Sequence, residues 1–87
     1  MLDTFRQQLL RTLQASRNPD EVKALLSHAR LLMFRRQVKA TARLHFWHLL
    51  HMQLGSMVEA DFTTPDLHAL IVIRVARFAH LEEVDEA

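Results

Sequence analysis

Between Pro19 and Gly55 the chain contains neither proline nor glycine, the two residues that most readily end a helix. The start of this interval carries every signal of a helix N-terminus. Asn18 stands where its side chain can cap the first turn, Pro19 occupies the position at which its missing N–H costs nothing, and Asp20 and Glu21 complement the positive end of the helix dipole. At the far end Gly55 offers the left-handed residue that commonly closes a helix. The interval therefore reads as one unbroken helix from Pro19 to Leu54, roughly 50 Å long at about 1.5 Å per residue.

The rest of the chain is organised around this element. Leu2, Phe5, Leu9 and Leu13 recur at helical spacing and predict a short amphipathic helix from Leu2 to about Ala15. Thr64-Pro65-Asp66 repeats the pattern of cap, proline and acid and opens a third helix running to about Glu82. The connector from Gly55 to Thr64 is short enough to fold the second and third helices back on each other. The expected fold is all-α and a single domain over residues 1–87, with a short N-terminal helix followed by a long antiparallel hairpin. Setting Leu54 level with Pro65 places Glu82 and Glu83 near Arg35, Arg36 and Lys39, His68 beside His51, and Arg74 beside His45.

A chain of 87 residues buries only about 60–65% of its unfolded surface by size scaling. Yet 49% of its residues are hydrophobic, including five Phe, one Trp and four Met. On a single long helix these residues sort into two stripes. Val22, Leu25, Leu26, Ala29, Leu32, Met33, Ala40, Leu44, Trp47, Leu50 and Leu54 form the intramolecular core face. Leu31, Phe34, Val38, Ala42, Leu49 and Met52 lie nearly opposite. The third helix is apolar nearly all round, with Leu67, Leu70, Ile71, Val75, Phe78 and Leu81 on one side and Ala69, Val72, Ile73, Ala76 and Ala79 spread around the other.

One short helix shields little of this surplus, so the hairpin is expected to complete a helical bundle with a second chain, as a homodimer or a hetero-complex. The function that follows is non-enzymatic protein binding through apolar helix faces, as an adaptor, chaperone or regulatory subunit. The expected partner surface is Leu31, Phe34, Val38, His45, Leu49 and Met52, with Val72, Ile73 and Ala76 beside it.

Two other chemistries compete with this reading. No carboxylate occurs between Glu21 and Glu59, while Lys23, Arg30, Arg35, Arg36, Lys39 and Arg43 fall inside that interval. Such a basic run can contact nucleic-acid phosphates. It spreads around the helix, however, and shows no helix-turn-helix, zinc-finger or zipper spacing, so a solvated flank paired with the acidic C-terminal residues is the better reading.

His45, His48 and His51 form an HxxHxxH run, and His48, His51 and His68 could ligate zinc or a similar ion with Glu59 or Asp61 as an oxygen ligand. The first three turn progressively around the helix, which favours histidines lining an interface. No metal or other cofactor is expected. No nucleophile-base-acid arrangement and no glycine-rich phosphate loop can be read, so catalysis is not expected. With no cysteine, no signal sequence and no apolar run long enough to span a bilayer, the expected compartment is the cytoplasm.

Overall fold

The computed structural model describes residues 2–86, with side chains described for residues 2–84. Four helices follow one another as α1 (Leu2–Gln14), α2 (Pro19–Arg35), α3 (Ala40–Gly55) and α4 (Leu67–Glu86), with one 3-10 turn at Glu59–Asp61. No strand occurs among the described residues. None of these helices is long and apolar enough to cross a membrane.

The expected rod from Pro19 to Leu54 is two helices, because the chain turns at Arg36–Lys39. Gln37 adopts φ 58°, the left-handed conformation usually taken by glycine at a helix C-terminus. The N–H of Gln37 donates to the Phe34 carbonyl and that of Val38 to the Met33 carbonyl, each at 3.0 Å. This paired closure is the Schellman motif, here built around a glutamine. Its usual apolar contact is present too, since Val38 packs on the core beside the fully buried Met33.

Burial decides the break. A left-handed non-glycine residue costs about 1–2 kcal/mol, whereas turning α3 back against α4 and α1 buries Phe46, Trp47, Leu50 and Leu54 almost completely. Each such side chain contributes roughly 1.5–3 kcal/mol when removed from water. A straight rod would also exceed the longest dimension of the chain, 35 Å between Cα extremes. Gly55, expected to be the left-handed residue, instead closes α3 with an ordinary negative φ.

The other start signal works as the residue chemistry dictates. Asn18 Oδ1 accepts from the Glu21 N–H at 2.9 Å, with Pro19 opening the helix. The third expected helix begins at Leu67 rather than Pro65, because Thr64, Pro65 and Asp66 form a turn.

The core gathers Leu9, Leu10 and Leu13 of α1, Val22, Leu26, Ala29 and Met33 of α2, the buried face of α3, and Leu67, Ile71, Val75 and Ala79 of α4. Four aromatic rings run through it. Phe5 stacks on Phe46 at 5.6 Å between centroids, Phe46 meets Trp47 edge-on at 5.1 Å, and Trp47 leans on Phe78 at 5.0 Å. The connector is tied to α1 by the Thr63 N–H donating to the Gln14 carbonyl at 2.8 Å, and α1 to α3 by Arg6 Nε donating to Gln53 Oε1 at 2.9 Å. Trp47 Nε1 is buried without a hydrogen-bond partner among the described residues, and nothing in the structure explains it.

Candidate functional site

Along α4 the buried positions recur as Leu67, Ile71, Val75, Ala79 and Glu82, so the helical repeat that builds the core carries a carboxylate into it. Glu82 has no solvent exposure. A lone buried carboxylate is very unfavourable, and two arginines answer it. Arg30 Nε of α2 donates to Glu82 Oε1 at 2.8 Å, and Arg43 Nε of α3 donates to Glu82 Oε2 at 2.7 Å. Arg43 is itself buried, and its Nη1 donates to the Val38 carbonyl at 2.6 Å. The same guanidinium thus joins the α2–α3 turn to the end of α4.

Phe34 lies on top of this assembly. The guanidinium carbon of Arg43 stands 3.9 Å and that of Arg30 4.8 Å from the centre of its ring. Cations so placed are attracted to the face of an aromatic ring. Phe34 is nevertheless 44% exposed. It borders a groove between α2 and α4 that Ser27, Leu31, Phe78 and Leu81 complete, with Leu31 and Leu81 each 45% exposed. Because Glu82 fixes both arginines and the arginines support the ring, Phe34 is held in place before anything touches it. An exposed aromatic whose freedom is already restricted loses little entropy on docking, the property that marks anchor residues of interfaces.

The expected partner surface is only partly assembled. Leu31 and Phe34 share the groove, but Val38 turns into a separate cavity and Leu49 and Val72 are half-buried. His45, Met52, Ile73 and Ala76 are exposed, and none of them lines the groove. The cause is the turn at Gln37, which ends the common axis on which Phe34 and Met52 would have shared a face.

The histidines divide as well. His48 and His51 border a shallow depression with Ala76, Ala79, His80 and Glu83, where Glu83 lies 3.6 Å from His48 and 3.7 Å from His80. His68 is elsewhere, with Nε2 at 2.9 Å from the Leu54 carbonyl and its ring 4.8 Å from that of Phe62. Among the described residues no three His, Cys, Asp or Glu side chains are placed to hold a metal ion, and the candidate ligands His48, His51 and His68 are divided between two places. Asp61, a suggested oxygen ligand, instead caps the 3-10 turn by accepting from the Val58 N–H at 2.9 Å.

The charge register also departs from expectation. Arg35, Arg36 and Lys39 are exposed on and beside the turn, and Glu82 pairs with Arg30 and Arg43 instead. Glu82 was legible as the next position in the buried repeat of α4, where a carboxylate demands a cation. Its partners were not, because their placement depends on the break in the second helix.

Comparison with protein-family models, with curated proteins and with solved structures finds no match to this chain.

Proposed function

We propose that the chain is a non-catalytic protein-binding module that docks its partner in the groove between α2 and α4, with Phe34 as the anchor. The observation that carries this reading is the exposed Phe34 ring seated over two guanidinium groups that the buried Glu82 already holds. Leu31 and Leu81 flank it and supply the apolar contact that excludes water around such an anchor. Adaptors, chaperones and regulatory subunits all act through surfaces of this kind. A cysteine-free chain suits the reducing cytoplasm, and the partner is either a twin completing a helical bundle or a different protein.

The basic run supports protein rather than nucleic-acid binding. Arg30 and Arg43 hold Glu82, which leaves four exposed cations of the run, Arg35, Arg36 and Lys39 near the turn and Lys23 apart from them at the start of α2. Non-specific nucleic-acid affinity grows with the number of phosphates neutralised, and so few cations give little.

The test compares the wild-type chain with Phe34→Asp and Leu81→Asp. Sedimentation across a dilution series reads self-association, and quantitative co-purification from the native host reads a different partner. A stoichiometric complex that both variants lose while keeping their far-UV circular dichroism is the expected result. A monomer without a stoichiometric partner, or a complex indifferent to both variants, overturns the reading.

A further inference from the structure

A second concavity, which shares no lining residue with the Phe34 groove, lies where the start of α1 meets the end of α2. Among the described residues its walls are Leu2 and Phe5 of α1, Leu32 and Met33 of α2, and Val38 of the turn, with Arg36 as the one charged residue of that set. Its volume is about 150 Å³. A space of this size lined by aliphatic and aromatic side chains admits a benzene ring.

Voids in small domains normally close by relaxation of their linings, and this one is braced against it. The Phe5 ring is stacked on the buried Phe46 at 5.6 Å. Val38 is set by its N–H bond to the Met33 carbonyl at 3.0 Å and by Arg43 donating to its own carbonyl at 2.6 Å. The space is therefore preformed, and its lining lacks the dispersion contacts that a filled core would supply. Arg36 is exposed and has no ion-pair partner among the described residues. Arg35 and Lys39 carry the same sign close to it in the chain, and the sequence holds no carboxylate between Glu21 and Glu59 to offset them. An apolar pocket beside an unpaired guanidinium is complementary to a molecule with an apolar body and one negative end.

We propose that this cavity binds a small apolar acid, a carboxylate carrying a single ring or a short alkyl chain, with the apolar part between Phe5, Met33 and Val38 and the carboxylate at Arg36. The site is independent of the partner groove.

Benzoate and its neutral counterpart benzyl alcohol are titrated into the full chain, and binding is read from the methyl NMR signals of Leu32, Met33 and Val38. Both probes are expected to saturate, with dissociation constants on the order of 0.1–10 mM for so few atoms. Benzoate binds about two- to fivefold more tightly, as befits an exposed ion pair. Arg36→Gln brings benzoate to the level of the alcohol and leaves the alcohol unchanged. Val38→Phe fills the space and abolishes both, with Trp47 fluorescence reporting that the fold persists; Leu32→Phe serves the same purpose if Val38→Phe fails to fold. Absence of saturation by either probe, equal affinity of the two probes for the wild-type chain, or binding that survives filling of the cavity overturns the proposal.

Discussion

Arg43 reaches Glu82 at 2.7 Å between α3 and α4, at a point where the carboxylate is wholly shielded from solvent and the arginine nearly so. The pair does more than hold two helices together. Through its second nitrogen Arg43 also fixes the α2–α3 turn at Val38, and with its π face it supports Phe34. Fold and candidate function therefore meet in one side chain.

Removing the buried charge from this site is expected to be costly. Glu82→Gln removes the carboxylate charge that Arg30 and Arg43 share inside the core, and breaking such a buried assembly costs about 3–5 kcal/mol. Urea unfolding followed by the fluorescence of Trp47, the single tryptophan, measures the loss. Replacing all three members together, as Arg30→Met, Arg43→Met and Glu82→Leu, is expected to recover most of that stability, because well-packed apolar groups often substitute for buried ion triads without loss. The triple variant should still bind its partner more weakly than wild type, since Phe34 no longer rests on a fixed support. Weakened binding in a stable protein separates the positioning role of the triad from its structural role.

The two helix ends predict opposite responses to glycine. Gln37 occupies a left-handed position, so Gln37→Gly is expected to stabilise the chain by up to about 1 kcal/mol. Gly55 lies inside the last turn of α3 with ordinary φ, and a Cβ added there meets nothing within 4 Å. Gly55→Ala is accordingly expected to stabilise by about 0.5–1 kcal/mol. Thermal unfolding of the two single variants checks both signs.

The same two residues show why the helix break was hidden in the sequence. Asn18 and Pro19 announce the start of α2 through their own chemistry, and the inner stripe of Val22, Leu26, Ala29, Met33, Trp47, Leu50 and Leu54 was readable because helical spacing survives on either side of the turn. The stop at Gln37 has no comparable local signal. It arises because α3 gains more by packing on α4 than the turn costs, a balance that depends on residues far away in the chain. Helix register and the partners of Glu82 depend on that break and were misplaced with it. Leu31 and Phe34 are exposed, but the continuous stripe that helical spacing assigns them to is divided by the structure; Phe46, buried beside Trp47, belongs to neither stripe.

Asp3 provides a pH-dependent check on the α1 terminus. The hydrogen bond from Arg6 at 2.8 Å, reinforced by the charge of the same guanidinium, holds its carboxyl below the ordinary value of 3.8. Because this group is depressed in the folded state, its contribution to stability is present above the unfolded value and is lost as pH falls through the lower folded one. Carboxyl carbon NMR should find Asp3 titrating below 3.8, and Arg6→Gln should move it back toward that value.

Phe34 itself is expected to matter little for folding. The residue is nearly half exposed, so Phe34→Ala should cost only about 1 kcal/mol, most of it the lost attraction to the two guanidinium groups. The variant should therefore unfold close to wild type in urea while losing its partner.

Site-specific photo-crosslinking in the native host tests docking at this groove most directly, with p-benzoylphenylalanine placed at position 34 and, as a control, at the exposed Met52 of α3. A single discrete adduct from position 34 that disappears with Leu81→Asp and is absent from position 52 is the expected result. No adduct from position 34, or the same adduct from both positions, would contradict a partner seated between α2 and α4.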